Sequence, residues 1–225
     1  MKNVRYLPAI SRVTITGADE SVSPQALVDL SREFPFVEWA ILLSSTKEGS
    51  PRFPNRSWIR ELVSLRESCD LKLAGHICGD WVRKLVVEEN PIVFEDRPEF
   101  IEYFPRIQLN FSTYDVTSSF IRLLIPFSRN NEFILQVGEY KSSEKIALLP
   151  NFRNKGISAS ILFDRSGGKG IVPLSWPEPG IGYPVGYAGG LGPDTLVEQL
   201  PRITEVVGDY YSRHFSWIWI DMESR

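Results

Sequence analysis

The stretch Ile161–Gly170, ILFDRSGGKG, together with Gly186–Asp194, GYAGGLGPD, decides how this chain is read. An apolar strand delivers Asp164 into a glycine turn, Gly167-Gly168-Lys169-Gly170. A second strand then enters Ala188-Gly189-Gly190-Leu191, and Pro193 and Asp194 are expected to open a helix. Glycine permits positive φ, so such turns can point successive N–H groups into one concavity. Two of them close in sequence, the second at a helix start, suit an anionic group such as phosphate. In a (β/α)8 barrel that site lies on the loops after strands seven and eight, at the catalytic face.

Working outward, strand and helix signals alternate along the chain. Arg12–Gly17 alternates like a β-branched strand, and Ser23-Pro24 supplies an N-cap and first-turn proline for a helix through Glu33. Val37–Ser44 is an apolar run expected of a strand buried on both faces. Asn55 caps a helix whose stripe is Trp58, Ile59, Leu62, Val63 and Leu65. Leu71–Ile77 is the third strand, and Asp80 opens the third helix. Pro91 to Pro105 reads as an irregular connection with a short helix around Glu99–Tyr103. Further strands are expected at Arg106–Phe111, Phe133–Val137, Ile157–Phe163, Val185–Ala188 and Trp217–Asp221. Helices are expected at Thr117–Leu124, at Ser142–Leu149 stopped by Pro150, and at Leu196–Tyr211 interrupted by Pro201. This βα alternation within one composition class predicts a single parallel-sheet domain over 1–225, with residues 1–11 as an N-terminal arm.

Bulk properties narrow the function classes. A net charge of -3 over 225 residues gives no electrostatic reason to expect nucleic acid or an anionic membrane as partner. No run has signal-peptide or membrane-spanning character, and two cysteines without a metal-ligand pattern read as reduced thiols, so a cytoplasmic location is expected. Neither His76 nor His214 has a second ligand at a recognisable spacing, so no metal is expected. A redox cofactor is not indicated either. The glycine motifs come late in the chain, without an early strand–GxGxxG–helix and its downstream acidic residue.

Periodicity alone leaves a doubly wound open sheet as a competitor. Particular residues favour the closed barrel, because the chain resembles the phosphoribosylanthranilate isomerase family, barrels that perform an Amadori rearrangement. The family's KICG, arginine loop, QLHG, Asp with GGxG, GGLxPxN and DVSSGVE segments are matched in order. The counterparts here are Thr14–Gly17 (TITG), Ser50–Phe53 (SPRF), Gln108–Phe111 (QLNF), Asp164–Gly170, Ala188–Asp194 and Asp221–Ser224 (DMES). The resemblance implies a TIM (β/α)8 barrel binding a phosphorylated small molecule, with Gly167, Gly168, Gly170, Gly189 and Gly190 around the ligand. It implies Asp164 as general acid and Arg52 as the anchor of a substrate carboxylate. Asp164 also reads as a turn-stabilising residue, and Arg52 as an exposed loop arginine.

The departures are as informative. Thr16 stands at the family's catalytic cysteine, and a hydroxyl has no useful basicity without a partner. Asn110 stands at the QLHG histidine, and Glu223 in the eighth loop would repel a phosphate dianion. Cys78, near His76, is a candidate replacement base if it faces the barrel mouth, although buried cysteines are usually inert. Trp176 reads either as a packing residue or as a platform for an aromatic ligand. The sequence stops at Arg225, right after the eighth strand, so the expectation is a barrel left incomplete, one whose seam is covered by the N-terminal arm or by the second subunit of a homodimer, or a chain that continues further. The expectations are therefore an isomerase of a phosphoribosyl compound, a repurposed barrel that binds such a ligand, or a partner-binding scaffold.

Overall fold

The computed structural model describes residues 10–111, 117–138, 142–164, 170–179, 182–211 and 218–223. Eight parallel strands close into one barrel in sequence order: β1 (Ile10–Thr16), β2 (Val37–Leu43), β3 (Lys72–Ile77), β4 (Arg106–Leu109), β5 (Glu132–Val137), β6 (Ser158–Asp164), β7 (Val185–Ala188) and β8 (Ile218–Glu223). The sheet closes on itself through β1 and β8, with Val13 opposite Ile220 and Thr16 opposite Glu223. The chain is a TIM-type α/β barrel. Among the described residues no helix is long and apolar enough to cross a membrane.

Outside the sheet lie α1 (Pro24–Glu33), α2 (Arg56–Ser64), α3 (Asp80–Val87), α4 (Ile92–Asp96), α5 (Glu99–Tyr103), α6 (Ser118–Leu124), α7 (Ser142–Ile146), α8 (Leu149–Asn154) and α9 (Leu196–Tyr211). Their starts follow local chemistry. The Ser23 hydroxyl accepts from Ala26 N–H, and the Asn55 side chain accepts from Trp58 N–H, each satisfying an otherwise orphaned donor. The apolar stripes then pack onto the outer sheet face. Trp58, Ile59 and Leu62 are buried on α2, and Trp39 on β2 donates its indole N–H to Ser31 on α1 at 2.8 Å.

Several local expectations are corrected. Pro150 does not stop a helix: it sits in the first turn of α8, where its missing N–H costs nothing. Pro201 lies inside α9 without interrupting it, and α9 begins at Leu196, after a turn at Gly192–Thr195, and not at Pro193. The connection after α3 contains α4 as well as the expected α5. β1 begins at Ile10, inside the expected arm, while Trp217, Lys169 and His214 lie outside the described residues.

The barrel interior is layered, and its polarity is unusual. Branched aliphatic residues dominate most such barrels. Here the bottom layer is ionic. Glu38, 1% exposed, takes Arg12 Nη1 at 2.7 Å, the Thr14 hydroxyl at 2.9 Å and Arg106 Nη1 at 2.5 Å. Arg106 also reaches Glu132 with Nε at 3.0 Å, and its guanidinium lies 4.4 Å from the Trp219 ring centroid. The apolar reading of Val37–Ser44 passed over this buried glutamate. Above it, Ile134, Leu162, Ala188 and Trp219 form a small apolar waist. Trp219 occupies the space a side chain at Gly186 would need, since an added Cβ would lie 2.2 Å from the indole. The waist is the floor of the site.

Candidate functional site

The C-terminal ends of the strands surround an open cavity of about 420 Å³. Its wall is polar on almost every strand: Thr16 from β1, Lys47, Arg52 and Phe53 from the loop after β2, and His76 and Cys78 from β3 and its end. Gln108 and Asn110, Gln136, and Asp164 follow from β4, β5 and β6. Gly189 and Gly190 follow β7, and Asp221 and Glu223 come from β8. Leu42, Leu162 and Ala188 are also in the wall, so the cavity rests on the apolar waist. Strand alternation explains the set. Residues two apart share a face, so Asp221 and Glu223 point inward with Trp219, and Gln108 with Arg106.

Two carboxyl groups face one another's field. Gln136 Nε2 holds Asp164 at 2.7 Å, and Thr16 donates its hydroxyl to Asp221 Oδ1 at 2.6 Å. Burial above all pushes the Asp221 carboxyl up to about 8, with the charges of Asp164, Glu223 and Glu38 adding to the shift and the Thr16 bond opposing it. Asp221 therefore carries a proton at neutral pH. Nothing in the eighth-strand sequence announced this. The depth of the barrel creates it, with the neighbouring Asp164 adding to it.

Thr16 thus reaches the site as the partner of an acid and not as a base. Cys78 also reaches it, but burial pushes its thiol up to about 11, so it does not supply the thiolate expected of a replacement base. His76 beside it is buried and pulled down to about 3, chiefly by desolvation and then by Arg106 and Arg52, and stays neutral. Asn110 lines the cavity with its amide engaged by Gln108 and Cys78.

Arg52 is held in the left-handed region at φ 70, where its N–H donates to the Asp19 carboxylate at 2.5 Å. The Ser21 hydrogen bonds, together with that contact, hold Asp19 below the usual carboxylate range. The guanidinium faces the cavity and lies 3.6 Å from Glu223, both half-exposed, while its Nε finds no partner among the described residues. Lys47 stands over the Phe53 ring at 5.1 Å. The mouth is therefore bipolar, basic after β2 and acidic at β6 and β8.

Of the glycines, Gly167 and Gly168 lie outside the described residues, and Gly170, Gly189 and Gly190 border the cavity. Gly190 is required on two counts. Its φ is +62, and an added Cβ would meet Val172 N at 2.4 Å. Thr195 fixes the turn by donating to Gly190 O at 2.6 Å and accepting from Gly192 N–H at 3.1 Å. Trp176 does not enter the cavity wall. It is buried, donates to Gln199 at 3.2 Å and meets Tyr187 edge-on, so its role is packing. Among the described residues no group of three or more His, Cys, Asp and Glu side chains is placed to hold a metal ion.

No family model and no curated protein matches the sequence. Among solved structures the chain is similar to the phospho-2-dehydro-3-deoxyheptonate aldolase (DAHP synthase) of Thermotoga maritima, with 12% identity and a TM-score of 0.57 over 96% of this chain and 60% of that one. It is also similar to the spore coat polysaccharide biosynthesis protein E of Chromobacterium violaceum, with 10% identity and a TM-score of 0.52 over 94% of this chain and 66% of the other. The chain thus spans roughly three-fifths to two-thirds of these neighbours. At such identities the likeness establishes the barrel and carries no chemistry. Neither neighbour singles out the phosphoribosylanthranilate isomerase family.

Proposed function

We propose that the cavity binds a phosphoribosyl-type sugar phosphate and isomerises it from aldose to ketose form, with Asp164 and Asp221 as its acid–base pair. The observation that carries this reading is the pair itself: two buried carboxyl groups on β6 and β8, one of them protonated at neutral pH, at the edge of one ligand-sized cavity. In such a reaction an acid protonates the furanose ring oxygen as the ring opens, and a base then removes the proton from sugar C2. Asp221 holds the proton and is the donor. Asp164, whose charge helps to keep it there, is the acceptor. This exchanges the acid role that the family resemblance gives to Asp164. Gly189 and Gly190 supply a backbone concavity for the phosphate, and Arg52 with Lys47 an opposite anchor for a second anionic group.

A second reading, binding without turnover, is favoured by Glu223, which puts negative charge on the eighth-strand loop and pairs with Arg52. Fluorescence-monitored turnover of phosphoribosylanthranilate separates the two. Turnover that disappears in both Asp164→Asn and Asp221→Asn supports the isomerase. Absence of turnover in the unmodified protein at high concentration removes it and leaves the binding barrel.

A further inference from the structure

The opposite end of the barrel holds a second recess, of about 460 Å³, which the proposed chemistry does not use. Its lining brings together Arg12 on β1, Arg106 on β4, Arg129 in the loop before β5, Glu132 on β5 and Ser158 on β6. Three guanidiniums therefore meet at one end of the cylinder.

What this recess offers a ligand depends on which atoms are already committed. Glu38 is buried, and both its oxygens are taken, Oε1 by Thr14 and Arg106 and Oε2 by Arg12. Glu132 gives Oε2 to Arg106, and its Oε1 is sealed from solvent. The acceptors of both carboxylates are thus spent or enclosed. The guanidiniums are not. Arg106 uses Nε on Glu132 and Nη1 on Glu38, and its Nη2 has no partner among the described residues. That nitrogen is not sealed as Glu132 Oε1 is, although the side chain is only 6% exposed. Arg12 is bound through Nη1 alone, and the exposed Arg129 side chain has no partner among the described residues.

The donors are also held in place before a ligand arrives. Arg106 is clamped by two carboxylates and stacks on the Trp219 ring. Asn131 secures the loop that carries Arg129, giving its amide protons to the Ile101 and Phe104 carbonyl oxygens at 2.8 Å each. Such preorganisation lowers the entropic cost of binding. The ionic layer is complete without Arg129, which adds a positive charge at the opening that no carboxylate answers.

The geometry points to this recess as an oxyanion site that takes a phosphate or carboxylate group between Arg106 Nη2, Arg12 and Arg129. Planar guanidiniums with unused N–H donors suit those groups. The site lies beyond the waist and the ionic layer from the sugar-phosphate cavity, so it stands or falls without that reading.

The test is calorimetric titration with inorganic phosphate and, separately, with succinate at constant ionic strength. The proteins compared are the unmodified chain, Arg129→Ala, Ser158→Asp and Gly190→Ala. Arg129 and Ser158 are exposed, so neither change threatens the fold. The expected result is binding of at least one anion that persists in Gly190→Ala, weakens about 3- to 10-fold in Arg129→Ala and about 10-fold or more in Ser158→Asp. Which titrant binds tells a phosphate site from a carboxylate site. Binding of neither anion, or binding indifferent to both Arg129→Ala and Ser158→Asp, overturns the inference. Binding lost only in Gly190→Ala assigns the anion to the mouth of the barrel and overturns it equally. Crystals soaked in arsenate then test Arg106 without mutation. Anomalous density within hydrogen-bonding distance of Nη2 upholds the site, and density found only elsewhere overturns it.

Discussion

Thr16 Oγ1 donates to Asp221 Oδ1 across 2.6 Å, and this single bond ties the first strand of the barrel to the last at the rim of the cavity. It stabilises the charged form of an acid that burial otherwise neutralises, so Thr16 tunes the proton that the proposed chemistry uses. Thr16→Val should raise the Asp221 carboxyl further and destabilise the fold by about 1–2 kcal/mol, the cost of an unmet buried hydrogen bond. Carbonyl-stretch infrared titration and urea unfolding of the same variant check both parts.

Stability should depend on pH through two buried groups of opposite sense. Asp221 keeps its proton to about 8 in the fold, against 3.8 as the ordinary value, so its contribution is full below about pH 4 and is lost as pH rises to 8. His76 stays neutral down to about 3 against 6.5, so its contribution is full above 6.5 and is lost as pH falls to 3. Between about pH 4 and 6.5 the two slopes, about 1.4 kcal/mol per pH unit each, cancel. From pH 6.5 to 8 only Asp221 acts, and stability should fall. Asp221→Asn should flatten that limb in denaturant titrations, and a limb that persists unchanged would show the acid to be ionised already.

Gly186→Ala should be among the most damaging small substitutions in the molecule. The new methyl would lie 2.2 Å from Trp219, which belongs to the waist and stacks against the Arg106 guanidinium. Overpacking of this kind costs about 1–3 kcal/mol or more. Trp219→Phe in the same chain should recover part of the lost thermal stability, whereas Trp219→Phe alone should lower it.

Glu38→Gln should destabilise by about 3–5 kcal/mol, because it leaves Arg12 and Arg106 short of the carboxylate that neutralises them. Replacing Arg106 by Met together with Glu38→Gln should cost less than the two single changes added. A double-mutant cycle in urea measures this coupling.

Gly190→Ala should reduce ligand affinity while leaving the barrel folded. Its φ of +62 and the 2.4 Å approach to Val172 N both resist a side chain, so the turn must open. Titration with inorganic phosphate, followed by intrinsic fluorescence, compares the variant with the unmodified chain.

The alternation of strands and helices was legible in the sequence because each element carries its own period or cap, as Ser23 and Asn55 do for α1 and α2. The closed barrel, and the places of Asp164, Arg52, Gly170, Gly189 and Gly190 at one rim, were legible through motif order. What could not be read was anything set by distant partners. Glu38 inside an apolar run makes sense only beside Arg106, which lies 68 residues away. Asp221 is a proton carrier because the closed barrel buries it, with the charge of Asp164 from β6 adding to the effect. Gln136 gave no local signal at all, while Gln108 was legible only as part of the QLNF match. The prolines were misread because a residue that breaks a helix interior also fits a first turn, and only the capping geometry distinguishes the cases.

The ionic bottom layer has a consequence for how the chain finds its structure. A sheet filled with interchangeable aliphatic side chains can close with neighbouring strands slipped against one another at modest loss. Here a slip would carry Glu38 or Arg106 away from its counter-charges and into the Trp219 waist, leaving a desolvated charge unmatched. Misregistered closures are thereby excluded from the base of the barrel, at the end opposite the cavity. The rim can then accumulate changes at positions such as Thr16, Asn110 and Glu223 without endangering the stagger on which the whole cylinder depends.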